Sequence, residues 1–367
     1  MKVGDVLRLE YGKPLPDDKR KPDGKYPVYG ANGEKGRSDE FYFNKPTIIV
    51  GRKGSAGEIN FTEEKFWPLD VTYYVDFDEK QFDLRFIFNM LDRLNLPNLA
   101  KGVKPGINRN EVYALDVQVP PLPEQQRIVS ILDEAFEGIA TATANAEKNL
   151  SNARELFESQ LKEVFTDSSG TWGKHTLEQI ALTFGRGKSK HRPRNDPKLY
   201  GGKYPFIQTG DIRNSDHFIT EYTQTYNEAG LAQSKLWPKG TLCITIAANI
   251  AETGILGFDS CFPDSVIGFV ADPAKSDAHF VEYLLSSFKA RLQAKGKGSA
   301  QDNLNLASFE NEQFPFPSVK EQKNIASAFD ELSAEVTSLE AVYQQKLNAL
   351  VELKKSILHQ AFSGQLH

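Results

Sequence analysis

The residues that could carry out chemistry in this chain fall short of every catalytic pattern tested. An Asn/Asp-Pro-Pro-aromatic loop, which would hold a target amine for methyl transfer, does not occur. Gly187-Lys188-Ser189 ends like a phosphate-binding loop. Such a loop needs a glycine five residues before the second one, and that position is Leu182. Glu63-Glu64-Lys65 has the Glu-x-Lys spacing of some metal-dependent nucleases, but so do Glu321-Gln322-Lys323 and Glu352-Leu353-Lys354, which lie in coiled-coil patterning. The 6 histidines include no His-x-x-x-His pair for a metal. No nucleophile elbow supports a Ser-His-Asp triad. Cys243 and Cys261 sit in apolar, strand-like surroundings, where thiols pack rather than react. The sequence therefore leads us to expect no catalytic residue and no metal ligand.

What remains is cationic. Arg186, Lys188, Lys190, Arg192 and Arg194 alternate with Gly, Ser, His and Pro, with no acid among them, and such a run can neutralise several phosphates. Lys13, Arg20, Lys21 and Lys25 form a weaker version, diluted by Asp17, Asp18 and Asp23. Arg52, Lys53 and Ser55 fall on a glycine-bounded break between two strand-like runs. Lys101 and Lys104 precede Asn108 and Arg109, and Lys295 and Lys297 precede Asn303 and Asn305. Arg, Lys and Asn on loops are the residue types that read phosphates and base edges. Asn108 and Asn305 could equally cap local turns.

These loops need elements to hold them, and the chain writes those elements twice. Pro120–Phe165 lies over Pro317–Phe362 without a gap: Glu124-Gln125 meets Glu321-Gln322, Asp133-Glu134 meets Asp330-Glu331, and Phe165 meets Phe362. Upstream the repeat is looser. Leu9-x-Tyr11-Gly12-Lys13 resembles Leu182-x-Phe184-Gly185-Arg186, and Gly57–Val75 can be laid on Gly254–Val270. In the first copy Ile128, Leu132, Ala135, Ile139, Ala142 and Ala146 are spaced four and three alternately, and Leu150, Ala153, Phe157, Leu161 and Val164 continue the stripe. In the second, Ile325, Phe329, Leu332, Val336, Leu339 and Tyr343 do the same. This is coiled-coil patterning. Roughly 40 residues of helix make a rod of about 60 Å with one apolar stripe, which needs a partner. The two copies pairing antiparallel within one chain would supply it; a homodimeric coiled coil, or stripes packed on their own domains, is the alternative. The globular parts read as β-rich, with strands at 41–43, 47–50, 71–75, 117–119, 206–208, 241–244 and 266–270. Short amphipathic helices are expected at 82–94 and 279–293.

Composition bounds the rest. A chain of 367 residues is too long for one ordinary core. Hydrophobic content of 40% and charged content of 25% are those of a soluble globular protein, and no apolar run is long enough for a membrane span. Two cysteines and no leader-like N-terminus suggest a reducing cytoplasm. The net charge of −5 is concentrated: residues 121–165 carry −4, whereas 1–120 and 166–316 are neutral overall. The acidic excess is thus on a helix, which suits a protein partner better than DNA.

The doubled helix start, Pro120-Pro121-Leu122-Pro123-Glu124-Gln125-Gln126-Arg127-Ile128 and Pro317-Ser318-Val319-Lys320-Glu321-Gln322, resembles the specificity subunits of type I restriction–modification systems (the HsdS family). So do the C-terminal Ser356-Ile357-Leu358-x-x-Ala361-Phe362-Ser363-Gly364, Lys101-Gly102 with Asn108, and Gly51-Arg52-Lys53-Gly54. The resemblance covers essentially the whole chain. The second copy departs from it, with Ala247-Ala248-Asn249-Ile250 in place of the Arg52-Lys53 loop, so polar readout through Asn249 is expected there. The resemblance implies an α+β fold: two mixed, β-rich target recognition domains (1–119 and 166–316), separated by two long antiparallel helices (120–165 and 317–367) that form an intramolecular coiled coil with a pseudo-twofold repeat. It also implies a non-catalytic chain that reads an asymmetric, bipartite double-stranded DNA site. Partners would be two modification (methyltransferase) subunits carrying S-adenosylmethionine and two restriction subunits using ATP and Mg. A stand-alone DNA-binding protein, or a specificity subunit of another methylation-based phage-defence system, is the alternative.

Overall fold

The computed structural model describes the chain except residues 168–171, 248–249, 298–308, 310–311 and 366–367; side chains are also left out at 166–167 and 294–297. The chain forms two compact units. Unit 1 comprises Met1–Glu147 with Gln344–His367, and unit 2 comprises Lys148–Tyr343. Each unit holds one globular part and half of each long helix, so the units cut across the boundaries drawn from the sequence.

Unit 1 is built on a four-stranded antiparallel sheet of β1 (Leu7–Tyr11), β2 (Thr47–Gly51), β3 (Ile59–Thr62) and β4 (Thr72–Phe77), in the order β1-β4-β2-β3. β2 is four β-branched residues closed by Gly51, buried along its whole length as a central strand requires. Helix α1 (Leu84–Arg93) buries Phe86, Ile87, Met90 and Leu91 on one face. Its N-cap is Asp83, whose carboxylate accepts from the Phe86 N–H at 2.9 Å.

Unit 2 repeats the plan with β5 (Ala181–Arg186), β6 (Phe218–Ile219), β7 (Leu242–Thr245), β8 (Thr253–Leu256) and β9 (Val266–Ala271) in the order β6-β8-β7-β9-β5. β6 is an added parallel edge strand. Two expected strands are absent. Phe43 makes only an isolated bridge to Phe66, and 117–119 is extended chain held by the Val117 N–H on the Met1 carbonyl. Both segments have strand-like residues but no neighbour along their length. The strand expected at 206–208 reaches only Phe206, the last residue of Tyr200–Phe206.

The long helices are α2 (Leu122–Asp167) and α4 (Val319–Phe362); α3 (Ala278–Lys297) is the unit 2 counterpart of α1. In unit 1, Ile128, Val129 and Leu132 of α2 share one core with Leu358, Ala361 and Phe362 of α4. In unit 2, Leu161 and Phe165 of α2 share a core with Ala326 and Phe329 of α4, the Phe165 and Phe329 rings stacking at 5.9 Å. Within each unit the start of one long helix therefore meets the end of the other, which is antiparallel pairing. Phe157, Ile325 and Leu332 pack at the border of the unit 2 core. Ile139 is half-buried and Val336 buried. Leu339 is corrected: it is 43% exposed. The half-buried face of α4 runs 336, 340, 343, so Glu340 takes the expected place and pairs with Arg154 at 2.6 Å. Steps of three and four are both helical neighbours, and the sequence offered either.

The repeated Glu-Gln has a structural purpose. Gln125 is fully buried; its Oε1 accepts from the Asp83 N–H at 2.9 Å and its Nε2 donates to the carbonyls of Gln81 (3.0 Å) and Pro120 (2.9 Å). Gln322 makes the same three bonds, to the Asp277 N–H (2.9 Å) and to the carbonyls of Lys275 (3.0 Å) and Pro317 (2.9 Å). One amide thus satisfies the orphan groups where a long helix starts and where the domain helix is capped. Beside the clamp, Arg85 pairs with Asp133 at 3.2 Å in unit 1, and His279 takes Arg85's place against Asp330 at 3.7 Å in unit 2.

Candidate nucleic-acid interface

In unit 1 the cationic loops come together at one end of the sheet. Gly51 ends β2, and a Cβ there would collide with the carbonyls of Ser55 and Ala31, so the turn after it closes only on glycine. The returning loop is joined to the 101–107 loop by backbone hydrogen bonds: Gly54 N–H to the Pro105 carbonyl (2.9 Å) and Ile107 N–H to the Arg52 carbonyl (3.1 Å). This sets Arg52, Lys53, Lys101 and Lys104 on adjoining loops, with Arg109 at the start of the short helix that follows. Arg52 donates Nε and Nη2 to the Asp70 carbonyl at 3.0 and 2.6 Å. Its guanidinium lies 5.3 Å from the centre of the Tyr11 ring, and that of Arg109 lies 4.9 Å from the same centre. Tyr11 is 45% exposed. Lys53 and Lys104 are exposed, and Lys101 pairs with Glu111 at 2.8 Å. Ser55 is half-buried in the turn. Asn108 caps the one-turn helix Arg109–Tyr113, its Oδ1 accepting from the Asn110 N–H at 2.9 Å.

The 13–25 run is arranged differently. Lys13 stands 4.7 Å over the Tyr42 ring and Lys25 5.3 Å over the Tyr26 ring. Arg20 donates to the Leu15 carbonyl at 2.7 Å and pairs with Asp17 at 3.2 Å. Lys21 pairs with Asp39 at 2.7 Å, which raises its pKa and lowers that of the carboxyl. Acids from this run and from 39–40 thus neutralise much of what the sequence offered to phosphate.

In unit 2, Arg186 ends β5 and donates Nε to the Asp264 carbonyl at 2.8 Å. Arg194 pairs with the Asp264 carboxylate at 2.6 Å and Arg192 approaches it at 3.8 Å, while also donating to the Ser189 carbonyl at 2.6 Å. Three arginines converge on one aspartate that is remote in sequence. Lys188 and Lys190 are exposed. Lys235, not singled out from the sequence, stands 3.6 Å over the Trp237 ring; burial first, and then Lys188, lower its pKa. Lys295 and Lys297, expected on a loop, lie in the last turn of α3; their side chains, with Asn249, Asn303 and Asn305, are outside the described residues.

The strand registers correct the sequence alignment of the two copies. Tyr73 of β4 faces Val50 and Tyr11; Ile267 of β9 faces Ile244 and Arg186. Tyr11 therefore corresponds to Arg186 and Gly12 to Gly187, not to Gly185. A Cβ at Gly12 would strike the carbonyls of Pro68 and Leu69, and one at Gly187 those of Phe262 and Pro263. Asp70 corresponds to Asp264. Arg52 corresponds to Ile246, because Arg52 N–H bonds the Val71 carbonyl (2.8 Å) as Ile246 N–H bonds that of Ser265 (3.0 Å). Ile246 is fully buried.

Among the described residues no group of His, Cys, Asp or Glu could hold a metal, and no helix is long and apolar enough to cross a membrane. Both cysteines are buried, and burial raises their thiol pKa values.

Comparison with known proteins agrees with this doubled plan. The family model for the type I restriction modification DNA specificity domain matches residues 1–150 and again 170–349. A putative type I specificity subunit of Mycoplasma pneumoniae is 24% identical over 349 residues, covering 90% of this chain and 88% of that protein. The StySPI specificity subunit of Salmonella potsdam is 34% identical over 171 residues, covering 44% of this chain and 36% of that protein. A chain from a structure of a type I R–M system superposes with a TM-score of 0.77 at 17% identity, covering 100% of this chain and 97% of that one. The HsdS subunit of Thermoanaerobacter tengcongensis gives 0.65 at 18%, covering 100% and 96%. With both copies matched, the chain belongs to the type I restriction modification DNA specificity family.

Proposed function

We propose that this chain is the DNA-reading subunit of a type I restriction–modification assembly. The observation that carries this is the family match falling on both copies, each of which gathers arginines at the same end of its sheet. Each globular part would read one half of an asymmetric, bipartite site. Loop lysines such as Lys53, Lys104, Lys188 and Lys190 would supply sequence-independent affinity, and pinned arginines the readout. The paired long helices would fix the gap and dock two modification subunits. Chemistry would belong to the partners: S-adenosylmethionine and adenine N6 methylation on the modification subunits, ATP and Mg on two restriction subunits. This chain would bind none of these cofactors and would act in the cytoplasm.

Co-expression with its modification subunit in a methylation-free host, followed by sequencing of modified adenines, tests the proposal. A split, asymmetric motif with one methyladenine per strand is the expected result. No motif, with the modification subunit soluble, would overturn it in favour of a stand-alone DNA-binding protein. Adding one helical turn to both long helices should lengthen the gap; an unchanged gap would remove the ruler role.

A further inference from the structure

The two units hold an arginine at the same backbone atom but take it from different strands. In unit 1, β2 runs into Arg52, which reaches across to the Asp70 carbonyl. In unit 2 the corresponding residue is Ile246, buried in the core. The guanidinium on the matching carbonyl, that of Asp264, comes instead from Arg186. Arg186 stands where unit 1 has Tyr11, the residue over which Arg52 stacks. A change beside one strand is matched by the opposite change on the strand two places across the sheet, and the guanidinium stays at the end of the sheet.

The anchoring leaves the reading atoms available. Arg52 uses Nε and Nη2 on the carbonyl, and Arg186 uses Nε; Nη1 of Arg52 and both terminal nitrogens of Arg186 make no hydrogen bond to a described residue. Neither arginine is in an ion pair among the described residues, whereas Arg20, Arg192 and Arg194 are. A planar fork held by a backbone carbonyl has already lost much of its rotamer freedom, so it can meet a base edge in one orientation. Resting on the reading above, we propose that Arg52 and Arg186 are the matched specificity-determining arginines of the two units, each aimed at a hydrogen-bond-accepting base edge such as that of guanine.

Arg52→Lys and Arg186→Lys test this, because lysine keeps the charge that a phosphate would need and loses the fork. Each variant is co-expressed with the modification subunit, its methylated motif is sequenced, and its purified chain is melted beside the parent. Discrimination at one base pair should fall about tenfold or more, in one half of the motif for Arg52→Lys and in the other half for Arg186→Lys. If both variants melt like the parent and keep both halves unchanged, the assignment is overturned. The same holds if occupancy drops uniformly while the motif stays intact, which identifies phosphate contacts instead. Should one variant not fold, the other makes the test in its own unit. A parent chain that yields no bipartite motif would sink the underlying reading of function; an intact parent motif with unaltered variants would sink only this inference.

Discussion

Unit 1 places an arginine on the Asp70 carbonyl from the loop after β2, and unit 2 places one on the Asp264 carbonyl from the end of β5. Around them almost everything else differs. Unit 1 adds an exposed tyrosine and a second arginine over its ring, while in unit 2 the carboxylate of Asp264, the counterpart of Asp70, draws in Arg192 and Arg194. What persists is the frame. Gly12 and Gly187 let the chain pass close to equivalent carbonyls, and the β1–β4 register matches that of β5–β9. A shared sheet thus carries different loop chemistry in its two copies.

The largest expected effect concerns what the units share. Gln125→Leu and Gln322→Leu each remove a buried amide and strip partners from one half-buried N–H and two carbonyls, and each should cost about 3 kcal/mol. Chemical denaturation with hydrogen exchange at α1 and α3 would measure it. Unequal losses would break the equivalence of the two joints.

Gly57→Ala should cost about 2 kcal/mol or more, read from the denaturation midpoint. Gly57 has φ +89°, and a Cβ there would strike the Pro97 backbone. Its counterpart is Ala251, at φ 62°: the N–H of each bonds back to the residue ending its strand, Gly51 or Thr245. A neutral Gly57→Ala would mean that Pro97 yields, and that the two turns are interchangeable.

A smaller effect should separate the joints by pH. In unit 2, His217 lies 3.2 Å from the buried Glu282, with Asp216, His279, Tyr283 and Asp330 around them. The hydrogen bond to Glu282 raises the His217 pKa above its ordinary 6.5, and burial raises that of Glu282. Both shifts are upward, so the stabilisation from His217 is complete below about 6.5 and drains as pH rises through the higher folded value. Ionising Glu282 in the fold works in the same direction. Unit 1 has Phe88 and Arg85 where unit 2 has Glu282 and His279. Exchange at α3 should therefore quicken with rising pH relative to α1, after correction for intrinsic rates. His217→Asn, which tolerates the φ of +58°, should flatten the difference. Equal responses would show that the two joints are electrostatically alike.

The smallest effect is expected from Arg85→Ala, at most about 0.5 kcal/mol by urea midpoint, because the Arg85–Asp133 pair is exposed on both sides. A larger loss would mean that the cation, and not the Gln125 clamp, secures the joint.

Much of this plan was legible in the residues. The 3–4 spacing from Ile128 to Val164 marks the face of α2 that is buried or half-buried, and the Glu-Gln echo marks both helix starts. The cationic loops were legible as a set of residue types, though not in their arrangement. Nothing local distinguishes Lys21, spent on Asp39, from Lys53, left exposed. Tyr11 was missed because its only signal is a place beside Gly12-Lys13; its cationic neighbours arrive from residues 52 and 109.

The sequence by itself determined the doubling, the two long helices, the β-rich globular parts and the absence of catalytic motifs. These rest on periodicity and residue type, which are local or directly repeated. Only the tertiary structure decided which residues correspond between the copies and which arginines are pinned. Strand register and carbonyl position are set by pairing between segments far apart in the chain, so a two-residue slip invisible in an alignment moves Arg186 from the place of Lys13 to that of Tyr11.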